Sequence, residues 1–333
     1  MKPQPRTIWR AVGKISFCSA LAWGFVVLIL TANLLAAGQA VSKDDLRQIG
    51  ERAKSLQNVV IRTQREVNLY PPQGTVSVIR GKYGSVQDFS FLNGKAIYDS
   101  HLTADATRQE LAKGLGTAEL LQDTRYYESD RVESLSRRVG QEQDHGVVQK
   151  HMDFPSIATI DLALGVRRLH PEGWIAPDFF SKLPLHRDTD GLIRGEETVP
   201  GGGKNEWTWD PSKGYALVRV RFLMDDHCVD DIQCNDFRPA GPVLIPYHVM
   251  RQNFAPRTGE WKVSRTIEVT VLEAQVNDPK NIATRYQLPW PPKTLVLDDR
   301  IGFSFITDKP DPSPVTDDEI HQKAAAALGT LLK

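Results

Sequence analysis

PVLIPYHVMRQNF at 242–254 and WKVSRTIEVTVLEAQV at 261–276, joined by APRTGE at 255–260, decide the fold. In the second stretch Val263, Ile267, Val269 and Val271 fall on alternate positions, with polar residues between them. A side-chain period of two describes a strand that buries one face and wets the other. The six-residue connection carries Pro and Gly, so the two strands fold back on each other as a long antiparallel hairpin.

The same pattern recurs on both sides. Upstream, WTWDPSKGYALVRVRFL at 207–223 reads as strand, turn, strand, with Ala216, Val218, Val220 and Phe222 alternating with Leu217, Arg219 and Arg221. Asp190-Gly191 turns into LIRGEETV, and a glycine loop follows at 201–203. Nearer the N-terminus, Ile61, Thr63, Val67 and Leu69 alternate with Arg62, Gln64, Glu66 and Asn68, and TVSVIRG follows at 75–81. In DFSFLNGKAIYDS at 88–100, Asn93-Gly94 is a strong two-residue hairpin signal, because both residues accept positive φ. Before these strands, Ser42 and Asp45 form a capping pair, and Leu46, Ile49, Ala53, Leu56 and Val60 recur at helical spacing. Short strands are expected in TLVLDD and GFSFIT.

Residues 101–185 are the least regular part, read as a helical or irregular insertion with a short helix near Pro177–Leu183. The linker KPDPSP opens a segment, 309–315, that leads to a capped C-terminal helix over 316–333. Strands run in hairpins without alternating helices, so the expected class is α+β: a large curved antiparallel sheet spanning 41–308 with an N-terminal amphipathic helix.

Composition narrows the functions. The 333 residues hold 41 Lys and Arg against 41 Asp and Glu, with 41% hydrophobic residues and three Cys. That is enough apolar mass for a sizeable core, and it lacks the basic surplus that nucleic-acid binding requires. Lys2, Arg6, Arg10 and Lys14 precede a stretch free of charge from Ile15 to Val41, ending in small residues through Ala40. Residues 1–40 therefore read as a signal peptide, or as an N-terminal anchor contacting the membrane through 15–36 if uncleaved. In both cases the rest is exported across the cytoplasmic membrane, to the periplasm or the outer face of that membrane. Without residues 1–40, 37 Lys and Arg face 41 Asp and Glu, a mildly acidic domain.

The leading helix and long meander resemble the periplasmic lipoprotein-carrier superfamily, the outer-membrane lipoprotein-sorting proteins and their relatives. The resemblance is carried by LQNVVIRTQREVNL, FSFLNGKAIYDS, WTWDPSKGYALVRV and LVLDDRIGFSF. It implies a half-open β-barrel with helices on its concave side, and a hydrophobic ligand there: an acyl chain, a lipid or a lipoprotein. The expected lining is Val67, Leu69, Phe89, Phe91, Val218, Val220, Phe222, Ile267 and Val269, with Trp207 and Trp209 either filling the core or rimming the cleft.

Chemical signatures are sparse. Cys228 and Cys234 in DDHCVDDIQCND are expected to form a disulfide in an oxidising compartment; the alternative is a metal site with His227 and the neighbouring aspartates, although the spacing fits no standard zinc or calcium pattern. His186, Asp188 and Asp190 read as a turn more readily than as an acid–base cluster. Neither a nucleophile elbow nor a phosphate loop is present, so no catalytic residue, metal or cofactor is assigned. The expected function is a non-catalytic hydrophobic-ligand binder of the cell envelope; the alternative is a membrane-tethered module that holds an envelope protein partner.

Overall fold

The computed structural model describes residues 39–70, 82–102, 120–128, 131–138, 144–149, 159–168, 173–257, 259–281, 290–298 and 303–307. The expected signal or anchor up to residue 38, the strand at 75–81, the linker and the C-terminal helix lie outside them.

The chain opens with β1 (Gln39–Ala40), α1 (Lys43–Ser55), β2 (Asn58–Leu69), β3 (Lys82–Leu92) and β4 (Lys95–Leu102). Next come β5 (Leu120–Glu128), β6 (Arg131–Arg138), β7 (His145–Gln149), a six-residue helix α2 (Thr159–Leu164), β8 (Arg167–Arg168) and β9 (Gly173–Trp174). A 3-10 turn at Phe180–Lys182 precedes β10 (Leu185–Arg187), β11 (Ile193–Thr198), β12 (Gly203–Asp210) and β13 (Ala216–Met224). The longest strands follow, β14 (His227–Ala240), β15 (Val243–Arg257) and β16 (Glu260–Val276), and then β17 (Leu295–Asp298) and β18 (Phe303–Ile306).

All strands but β8 and β9 join one sheet in the order β1-β10-β11-β12-β13-β14-β15-β16-β2-β3-β4-β5-β6-β7-β17-β18. Its two outermost strands do not pair, so the sheet is unclosed, and it has the layout of a half-open barrel. Pairing is antiparallel throughout except between β7 and β17, which run parallel. The hairpins follow local chemistry: Asn93 and Gly94 both take positive φ between the paired residues Leu92 and Lys95. The join between β16 and β2 is long-range, with Ile267 opposite Val67 and Val276 opposite Val59. Register shifts in β12–β13, β13–β14, β15–β16 and β16–β2 are β-bulges, which add twist and bend the sheet.

One face, here called inner, carries α1, α2 and the main core. Ile49 and Ala53 of α1, Leu56 at its C-terminal cap and all six residues of α2 are buried, and α2 lies against β13, β14, β15 and β16. The opposite face of β11–β14 is a ladder of ion pairs. Lys204 lies 3.0 Å from Glu206 and 3.3 Å from Glu196, Arg221 lies 2.5 Å from Glu206, and Arg219 lies 2.7 Å from Asp231. Such a ladder suits a surface facing water.

Two expectations for 101–185 are corrected. Where short helices were expected, Leu120–Glu128, Arg131–Arg138 and His145–Gln149 are strands. Among the described residues their outer face carries a small cluster of Tyr126, Val148, Val296 and Trp290, whose ring lies directly over Gly146. Near Pro177–Leu183 the structure has only the 3-10 turn, and the helix lies earlier, at TIDLAL.

Candidate functional site

The inner face presents apolar rows that run across the strands. Trp207 pairs with Val220, and Val220 with Ile232. Val67 pairs with Ile267, Ile61 with Phe89, and Val59 with Phe91. Of the residues expected to line a ligand site, Val67, Phe89, Phe91, Trp207, Trp209, Val220, Phe222, Ile267 and Val269 are buried in this one core. Leu69 is placed by register opposite Arg265. Val218 departs from the pattern. Thr208 pairs with Arg219 but Trp209 pairs with Leu217, so Val218 is the extra residue of a bulge. Leu217 takes the buried position beside Trp209, and Val218 is half-buried.

These rows are covered by 159–168 and 173–185, which have little regular structure and act as a plug. Phe180 meets Trp207 and Trp209 edge-on, with ring centroids 5.7 and 5.1 Å apart, and Phe179 meets Trp207 at 5.6 Å. Trp174 tilts over Phe91 at 5.0 Å. Such aromatic pairs add about 0.5–1.5 kcal/mol each beyond area burial. The Trp207 indole N–H is buried and has no acceptor among the described residues.

A polar latch fixes the plug to the sheet. Asp161 is fully buried on α2; its Oδ2 accepts from Tyr98 Oη at 2.6 Å and from Arg167 Nη1 at 3.3 Å, and its Oδ1 accepts from the Leu162 amide at 2.7 Å. Burial pushes this carboxyl up, against the pull of Arg167, Tyr98 and Leu162. Arg167 also lies over the Trp174 ring, 5.7 Å from its centroid. The latch joins strand β4, helix α2 and the β8–β9 ribbon through one carboxylate.

Three further charges sit at the margins of this core. Arg251 Nε donates to Asp230 Oδ1 at 3.0 Å and Nη2 closes the pair, both residues being buried. At the start of α1, Asp45 accepts from Ser42 Oγ at 2.8 Å, Arg187 Nη2 at 2.7 Å and Tyr215 Oη at 2.8 Å. Burial draws the Asp45 carboxyl upward, but the bonds from Ser42, Arg187 and Tyr215 outweigh it and hold it at about 2. Near the other end of α1, Arg52 Nη2 donates to the Leu244 carbonyl at 2.7 Å.

The expected disulfide is absent. Cys228 and Cys234 are both free, and both lie on β14, with Cys228 opposite Leu223 and Cys234 opposite Val249. Six residues of extended strand separate their Cα atoms by about 20 Å, whereas a disulfide tolerates about 7 Å at most. His186, Asp188 and Asp190 belong to the β10–β11 hairpin, where Arg194 bridges Asp188 at 2.8 Å and Asp190 at 3.1 Å, and His186 lies 3.4 Å from Asp188. The Leu192 amide donates to Asp190, closing the turn. No group of three or more metal-ligating side chains occurs among the described residues.

Sequence reasoning did not single out Asp161, Arg167 or Arg52. Arg52 sits in an amphipathic helix, where a lone charge reads as solvated, and Asp161 is the one charge in a short buried helix; Leu244 and Tyr98, which meet them, come from strands that are distant in sequence.

No family model matches the sequence, and no curated protein matches it either. Solved structures do show a likeness of layout. A LolA superfamily protein from Nitrosomonas europaea aligns over 72% of this chain and 95% of its own, at 9% identity and a TM-score of 0.38. A DUF1329 family protein from Desulfovibrio piger aligns over 74% of this chain and 98% of its own, at 8% identity and a TM-score of 0.33.

Proposed function

We propose that this is an exported, non-catalytic protein of the cell envelope that binds an acyl chain, lipid or lipoprotein on the inner face of its sheet. One observation carries the reading: a broad apolar face containing Trp207, Trp209, Phe89, Phe91, Val220 and Ile267 is closed by a short plug and α1, where a sandwich would have a second sheet. Apolar contacts between plug and sheet are replaceable by those of a hydrocarbon chain, since burial of this kind is non-directional. The Trp207 indole N–H, buried without an acceptor among the described residues, offers one polar contact on that face. Native mass spectrometry of the exported protein, with displacement of a fluorescent fatty acid, tests the reading. Co-purified lipid or saturable displacement is expected. Neither of these, together with retention in the membrane fraction, would favour a tethered module that holds a protein partner.

A further inference from the structure

The arginines around this core divide by partner. Buried Arg251 meets Asp230, buried Arg167 meets Asp161, and half-buried Arg187 meets Asp45, while buried Arg65 also has a partner. Arg52 meets no carboxylate among the described residues. Its residue surface is 7% exposed, Nη2 has the Leu244 carbonyl, and Nη1 is buried without an acceptor. Burial lowers the guanidinium to about 10, with the neighbouring Cys234 thiol pulling the other way, so the group stays cationic at neutral pH. The C-terminal dipole of α1 and one carbonyl offset part of the burial and leave a forked donor half used. An unpaired buried charge is among the costliest features a core can hold, unless an anion arrives to meet it.

The position links this cation to the apolar rows. Arg52 sits where α1 crosses β14 and β15, beside Cys234. Cys234 pairs with Val249, and Val249 pairs with Val269 of the expected lining. A chain lying along that row would end at Arg52.

We propose that Arg52 is a headgroup anchor, and that the inner face takes an amphiphile whose acyl chain ends in an anionic carboxylate or phosphate, with head oxygens accepting from Nη1. This inference rests on the hydrophobic-ligand reading above. Charge-assisted hydrogen bonds from a desolvated guanidinium are strong, so head charge should govern affinity.

The test measures binding of oleate, lysophosphatidate and methyl oleate to the exported protein below their aggregation concentrations. At least one acid should bind about tenfold or more tighter than methyl oleate. The better acid identifies the head, and inorganic phosphate alone should not compete. Arg52→Met should erase the preference while leaving methyl oleate within about twofold. If that variant does not fold, Arg52→Lys, which keeps the charge and loses the fork, should cut the preference by about threefold or more. Equal wild-type binding of acid and ester would overturn the anchor and leave the hydrophobic-ligand reading standing. A preference that survives both substitutions, or displacement by phosphate alone, would also overturn it. Binding of none of the lipids would remove both.

Discussion

Replacing Asp161 by Ala removes the carboxylate at the centre of the plug latch. Three bonds disappear at once: those from Tyr98 Oη, Arg167 Nη1 and the Leu162 amide. Arg167 and Tyr98 are both about 1% exposed, so water cannot take over without opening the core. Losing one partner of a buried ion pair costs about 3–5 kcal/mol. A buried hydroxyl left without an acceptor costs about 1–3 kcal/mol. The two overlap, because the plug relaxes once to relieve both, so Asp161→Ala should destabilise by about 4 kcal/mol. Urea denaturation followed by tryptophan fluorescence measures this, since Trp174, Trp207 and Trp209 lie at or beneath the plug. The double replacement Asp161→Leu with Arg167→Met should recover most of the loss, since an apolar pair of similar volume carries no desolvation penalty. A cost below about 1 kcal/mol for Asp161→Ala, or a double variant no better than the single, would refute a latch that depends on this carboxylate.

Acid should weaken the anchor at the start of α1. The Asp45 carboxyl is held at about 2 against an ordinary 3.8, so its contribution of about 2 kcal/mol is fully present above pH 3.8 and lost as pH falls towards 2. Denaturation midpoints between pH 5 and 2.5 should fall more steeply for wild type than for Asp45→Asn. Gly146→Ala should destabilise the outer cluster by about 2 kcal/mol or more, because its Cβ would overlap the Trp290 ring; a Trp290→Ala background should relieve most of that cost. Non-reducing mass spectrometry of the exported protein should show two free thiols. Cys234, buried and pushed up to about 12, should resist alkylation until the protein unfolds, while the half-buried Cys228 reacts sooner.

What could be read from the chain alone was whatever local chemistry settles. Asn93-Gly94 fixes its hairpin within four residues, and the antiparallel character of the sheet was legible there and at the β15–β16 hairpin, although the strands pair up to Arg257 and Glu260 where a connection over 255–260 was expected. Trp207, Val220, Phe222, Ile267 and Val269 share a face because a period of two carries across hydrogen-bonded neighbours. Val218 broke the rule through a bulge, which depends on how β12 meets β13 and leaves no mark on β13 itself. Strands β5, β6 and β7 were illegible for a different reason. A strand shows its period only when one face is well buried, and among the described residues RVESLSRR meets only a small apolar cluster. The parallel pairing of β17 with β7 joins segments about 150 positions apart in sequence, beyond the reach of any local pattern.

The same contrast governs the site. Apolar lining residues announce themselves by periodicity, whereas polar residues that tie a plug in place acquire meaning only from partners elsewhere in the fold. Asp161 is one aspartate in TIDLAL until Tyr98, 63 positions upstream, donates to it. Arg52 is an ordinary helix arginine until Leu244, 192 positions away, offers one carbonyl and nothing else described offers a second acceptor. Hydrocarbon contacts between plug and sheet can be exchanged for those of a ligand at little net cost, but the Asp161 bonds cannot, because an acyl chain has nothing to give Tyr98 or Arg167 in their place. Under the proposed hydrophobic-ligand reading, opening the face would cost mainly the bonds of this latch.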